Sequence, residues 1–154
     1  MIRQGLPLAA AALCILGCHG TRPDVVGRGK GTLAPCPSTP NCVNTHASDS
    51  THAIEPLTYE GDASDAMTRL VAVIEGMDRT EIITKSEGYL YVEFTSAFWR
   101  FVDDVEFSFD TTNKVIHFRS ASRLGRSDFG VNRKRMEEVR RRFNARGSRA
   151  ESGT

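Results

Sequence analysis

FVDDVEFSFDTTNKVIHFRSAS, residues 101–122, is the stretch whose reading decides the fold. On both sides of Thr112-Asn113, Val, Ile and Phe alternate with polar residues, the pattern of half-buried strands joined by a tight turn. A two-residue turn sets Phe107 opposite Phe118 and Glu106 opposite Arg119, so apolar meets apolar and acid meets base. A slip of one residue would turn every side chain to the wrong face, so the pattern specifies the register. The same register places Asp103 opposite Ser122.

Upstream, residues 81–86 and 89–96 read as another hairpin around Glu87-Gly88, with Leu90, Val92 and Phe94 facing as Phe101, Val105, Phe107, Phe109, Ile116 and Phe118 do. Residues 62–77 place Ala63, Ala66, Met67, Leu70, Ile74 and Met77 on one helical stripe, with Asp62 as cap and Gly76 as exit. A last helix over residues 128–145 carries Phe129, Met136, Val139 and Phe143 on its apolar stripe, and Asn132 falls on that stripe too. The fold class expected is therefore α+β, a four-stranded antiparallel sheet with two helices packed on one face. Trp99, within Phe98-Trp99-Arg100-Phe101, is expected to close the sheet edge.

Chemistry concentrates just beyond the hairpin, in RSASRLGRSDFGVNRKR at residues 119–135. Parity puts Asp103, Ser120 and Ser122 on the apolar face, where Asn132 meets them from the helix. Buried polar groups need partners, so this is either a closed hydrogen-bond network or a small polar pocket. Asp104 falls on the other face with Glu106, where Arg119 and Arg123 are expected to form exposed ion pairs with them. Arg123 and Arg126 flank Gly125, and a helix starting at Ser127 or Asp128 would offer free amides to an anion. Asp128 competes for those amides as a cap. The candidate ligand-binding residues are Arg119, Arg123, Arg126, Ser127, Asp128, Asn132, Asp103 and Ser122, and no catalytic residue is assigned. Asp103 and Asp104 project to opposite faces and cannot share a substrate, and His117 faces away from both serines. No nucleophile elbow, metalloprotease or phosphate-loop pattern is present in the sequence.

Charge is uneven along the 154 residues: residues 119–149 hold eleven Lys or Arg against three Asp or Glu, leaving nine and sixteen from totals of 20 and 19 elsewhere. A solvated helix face accounts for this, and attraction to anionic lipid is the alternative. The basic stripe lacks interleaved aromatics, so no nucleic-acid partner is expected. At the N-terminus, Arg3 precedes an apolar run too short to span a bilayer, the layout of a secretory signal. Ile15-Leu16-Gly17-Cys18 resembles the lipobox of bacterial lipoproteins, with Leu16 where a smaller residue is usual. That resemblance implies acylation of Cys18, palmitate included, and a membrane-anchored protein; His19 points to the outer membrane, facing the periplasm. The expected partition is a signal peptide at 1–17, a flexible tether at 18–33, one domain at 34–146 and a disordered tail at 147–154. In an oxidising envelope Cys36 and Cys42 are expected to form a disulfide, with a zinc site including His46 and His52 as the alternative.

LAPCPSTPNCVNT at 33–45, FVDDVEF at 101–107 and RSASRLGRSDFGVNRKRME at 119–137 together resemble the family called domain of unknown function 1499, over roughly residues 33–145. The resemblance implies one compact envelope-associated domain in which the 119–135 segment matters, and it supplies no catalytic residue. The expectation is a non-enzymatic envelope lipoprotein, with no metal or cofactor, binding a small anionic ligand or an envelope protein partner. An enzyme using Asp103, Ser122 and Asn132, or a purely structural component, are the alternatives.

Overall fold

The computed structural model describes residues 20–27 and 33–151; the signal segment with Cys18 and the Gly-Lys-rich residues 28–32 lie outside the described residues. The elements follow in the order β1 (Cys42–Asn44), β2 (Leu57–Thr58), α1 (Ala63–Glu75), β3 (Thr80–Ser86), β4 (Tyr89–Thr95), β5 (Val102–Asp110), β6 (Val115–Ser122) and α2 (Val131–Glu151). They build a six-stranded antiparallel sheet in the order β1-β6-β5-β4-β3, with β2 also paired to β6. The class is α+β as expected, but the count of four strands is corrected to six. Strands of three and two residues are too short to leave an alternation pattern. Together they cover the outer edge of β6, whose backbone groups need partners.

The β5–β6 register agrees with the alternation: Phe107 pairs with Phe118, Glu106 with Arg119 and Asp103 with Ser122. The ladder itself ends at Asp110 and Val115, and the Asp110 carboxylate accepts hydrogen bonds from the amides of Thr112 and Asn113, both at 3.0 Å. Across the sheet, β3 carries a bulge between Ile82 and Thr84.

One face of the sheet makes the core. Leu90, Val92, Phe94, Val105, Phe107, Ile116 and Phe118 pack against Ala66, Met67, Leu70, Val73 and Ile74 of α1 and Met136, Val139 and Phe143 of α2. Burial of each large side chain contributes roughly 1.5–3 kcal/mol. Gly76 ends α1 as expected; Asp62 sits at its N-cap position without a side-chain cap bond.

Several expectations at the ends of elements are corrected. The last helix begins at Val131, and it takes in residues 147–151 of the stretch expected as a tail. Phe129 is 89% exposed and off the apolar stripe. The reason is a tight turn: the Val131 amide donates to the Asp128 carbonyl at 3.1 Å, with Phe129 and Gly130 both at positive φ (53° and 77°). Phe101 and Trp99 are also exposed, because β5 starts only at Val102 and the preceding loop projects beyond the sheet.

The stretch expected as a tether is corrected where it is described. Residues 20–27 lie as an arm across the second, polar face of the sheet, with Val26 buried against Tyr89 and Tyr91. The arm's close approach needs a glycine: a Cβ on Gly27, at φ +75°, would sit 3.1 Å from the Tyr91 ring.

Candidate functional site

The polar residues singled out by sequence meet at one corner but divide between two faces of the sheet. On the core face, Asn132 is fully buried and its amide donates to the Asn41 carbonyl (3.1 Å), Ser122 Oγ (2.9 Å) and Asp128 Oδ2 (2.8 Å). Its Oδ1 accepts from Ser120 Oγ (2.5 Å) and from Arg135 Nη1 (2.9 Å), and Arg135 Nη2 in turn donates to Asp103 Oδ2 (2.5 Å). The Arg135 guanidinium lies 4.8 Å from the Phe94 ring centroid. Asp103, Ser120, Ser122 and Asn132 thus converge as parity demands, and they form a closed network locking helix to sheet. Asp103 is buried and ion-paired, so it is not an acid lining an open pocket.

The helix start is occupied by the protein's own carboxylate. Asp128 Oδ2 accepts from the Asn132 amide (2.7 Å) and Oδ1 from the Gly130 amide (2.9 Å). Burial would raise the Asp128 pKa, but these hydrogen bonds favour its charged form and hold it below the usual carboxylate value. Ser127 is exposed, its Oγ accepting from the Phe129 amide at 3.3 Å, and Arg126 is exposed in the same loop.

On the opposite face Arg123 is consumed. Its guanidinium bonds both oxygens of Asp104 (3.0 and 3.1 Å from Nε), the Tyr91 hydroxyl (3.2 Å) and Glu93. Glu93 and Asp104 are directly paired across β4 and β5, so two like charges would repel there without it. Arg22 from the arm adds a second guanidinium to Glu93 through Nε at 2.8 Å. Burial raises the Glu93 pKa, yet the hydrogen bonds from Arg22 and Arg123 more than reverse it. Tyr91 donates to Asp104 at 2.6 Å and Tyr89 to Glu106 at 2.5 Å, and burial together with these acceptors drives both phenol pKa values up. Arg119 is buried beside Glu106, and burial lowers its pKa. The residues expected in exposed ion pairs are therefore buried, because the arm lies over them; Arg123 pairs with Asp104, whereas Arg119 Nε and Glu106 Oε2 are buried without a hydrogen-bond partner among the described residues.

Sequence reading missed Asn41, whose amide donates to the Gly125 carbonyl (2.8 Å) and whose carbonyl serves both Asn132 and the Ser122 amide. The signal was its place in Pro40-Asn41-Cys42, where the Cys36–Cys42 disulfide (Cα–Cα 5.7 Å) holds the loop against β6. With the thiols joined to each other, His52 instead bonds Asp49 (2.8 Å) and the Thr39 carbonyl (3.2 Å).

An open groove of about 950 Å³ lies elsewhere, between α1, α2, the β2 end and the β5–β6 turn. Its lining includes Tyr59, Arg69, Lys114 and Arg146, with the carboxylates of Glu60 and Asp65. Arg69 stacks on the Phe143 ring at 4.0 Å, in the space left by Gly147. The Tyr59 hydroxyl and Arg69 Nε are buried without a hydrogen-bond partner among the described residues. Tyr59 is only 4% exposed, and burial, with Asp110 nearby, raises its pKa. These residues are far apart in the chain and belong to no motif, so no sequence signal gathers them.

Taken together, fold and sites define a small α+β domain whose densest polar cluster is internal and whose cationic groove is open. The chain belongs to the family described as protein of unknown function (DUF1499), whose signature matches residues 32–143. No curated protein and no solved structure matches it.

Proposed function

We propose that this chain is an envelope lipoprotein, acylated at Cys18 and anchored in the outer membrane facing the periplasm, whose domain is a non-catalytic receptor for a small hydroxylated anion. The lipobox-like Ile15-Leu16-Gly17-Cys18 supports the anchor. The observation that carries the receptor reading is the pair of buried, unpartnered polar atoms, Tyr59 Oη and Arg69 Nε, lining the α1–α2 groove. Such atoms are costly unless something bonds them. A carboxylate or phosphate would lie against Arg69, Arg146 and Lys114, and ligand hydroxyls would donate to Glu60 or Asp65. The 119–135 corner is not chosen, because Arg123, Arg135 and the helix start are already bonded to the protein's own acids, and its atoms unpartnered among the described residues, Arg119 Nε with Glu106 Oε2 opposite it, are buried beside the arm and line no groove.

The test is thermal unfolding with inorganic phosphate, glycerol phosphate and a sugar acid as probes. At ten times its dissociation constant a probe adds about 1.4 kcal/mol, a rise of about 3–5 °C for a chain of this size. Arg69→Ala and Tyr59→Phe should fold and lose that rise. Absence of a rise with every probe, or an equal rise in both variants, ends the receptor reading.

A further inference from the structure

The end of the sheet opposite the groove carries an apolar surface with no structural duty. The loop at 96–101 is closed by the Ser96 amide donating to the Phe101 carbonyl at 2.8 Å, and it projects Phe98 (93% exposed) and Trp99 (74%). The 123–130 loop runs alongside, since the Arg123 amide donates to the Val102 carbonyl at 3.1 Å, and it presents Leu124 and Phe129. Val131, in the first turn of α2, faces solvent beside Thr95 and Ser96. Phe129 at 89% exposure also holds a left-handed φ of 53°, where a bulky residue is an outlier. An aromatic kept strained and in water gains nothing for folding, so its use is sought outside the fold. Arg100, Arg126 and Lys134 surround this surface, exposed and with no side-chain hydrogen bond or ion pair among the described residues.

The chain's own path says what covers it. Gly20 packs on this same end: a Cβ there would meet Arg123 Cβ at 3.0 Å and Leu124 Cγ at 3.1 Å. Cys18 is two residues away, and two residues of extended chain span at most about 7 Å. An acyl group on Cys18 therefore enters the bilayer beside the exposed aromatics. An anchor at one residue leaves the domain free to turn, and aromatic rings with flanking cations are the groups that settle at the headgroup level of anionic membranes.

We infer that Phe98, Trp99, Phe101, Leu124, Phe129 and Val131 form a second membrane contact, a rim that seats the domain in the anionic bilayer beside its lipidated N-terminus. The rim fixes orientation as well as affinity. With this end down, the groove near the 111–114 turn faces away from the membrane. The inference draws on the proposed acylation for its geometry, but the rim can be tested apart from it.

Trp99 is the sole tryptophan in the chain, so its fluorescence reports this surface alone. The full acylated protein is reconstituted in vesicles of phosphatidylethanolamine and phosphatidylglycerol, with and without bromine-labelled lipid. A blue shift, quenching by the brominated chains and loss of quenching by aqueous iodide support the rim. Trp99 that stays open to iodide and blind to brominated lipid overturns it, as does protection that appears without lipid as protein concentration rises, which would make the face a contact between copies. A Phe98→Ser, Phe129→Ser variant should return the emission towards the red while far-ultraviolet dichroism stays native; unchanged lipid quenching in a folded variant also overturns it. The mass of the N-terminal peptide reports acylation separately, so a missing anchor and a missing rim give different results.

Discussion

Two cation-rich regions of this molecule behave in opposite ways. At the 119–135 corner the arginines are dense in sequence and the two that reach acids are spent: Arg123 answers Asp104 and Glu93, Arg135 answers Asp103, and Asp128 fills the helix start, while Arg119 Nε is buried beside the arm, away from any groove. In the groove the cations come from residues 69, 114 and 146, and buried polar atoms there lack partners. A run of arginines near serines and acids is thus evidence for internal pairing as readily as for a ligand. The open site is the one whose residues share no motif.

Substitution separates the regions most sharply at Arg123. Its removal leaves the buried Asp104 without a counter-charge opposite Glu93, which keeps only Arg22, so Arg123→Ala should cost about 3–5 kcal/mol in urea unfolding. The exposed neighbour Arg126→Ala should stay within about 0.5 kcal/mol. Equal stability of the two variants would mean the buried cluster is not a unit.

Acid provides a second, smaller separation. Glu93 and Asp128 have folded-state pKa values held below their ordinary ones by hydrogen bonds. Their contribution is whole above the unfolded carboxylate values near 4 and is lost as pH falls through the depressed folded values. Stability should therefore fall steeply on the acid side, and Asp128→Asn should flatten that limb; an unchanged slope would contradict the assignment. The smallest effect belongs to the groove. Tyr59→Phe removes a hydroxyl that bonds nothing among the described residues, so without ligand its stability should change by less than about 0.5 kcal/mol or rise slightly. A loss above 1 kcal/mol, read by the same unfolding measurement, would mean the hydroxyl has a partner.

What was legible in the chain was what depends on parity. Alternation placed Phe107 against Phe118 and Asp103 against Ser122, and helical spacing put Asn132 under the sheet. What was hidden depends on remote segments. Nothing near Asp104 or Glu106 announces that an arm from residues 20–27 will cover them and bury carboxylates expected at the surface. Phe129 falls on the apolar stripe by spacing alone, and only the turn through Gly130 throws it out. The groove needs α1, α2 and the β5–β6 turn to be docked before it exists.

The bulge between Ile82 and Thr84 has a consequence for life on a crowded membrane. Among the described residues, β3 is the longer of the two flanks with no strand beyond them, and lipid attachment would confine copies to two dimensions, where such flanks meet often. The kink breaks the regular spacing of free amides and carbonyls, and Glu81 and Lys85 place charge along it. Neighbours that collide edge to edge therefore find no straight template on which to zip together.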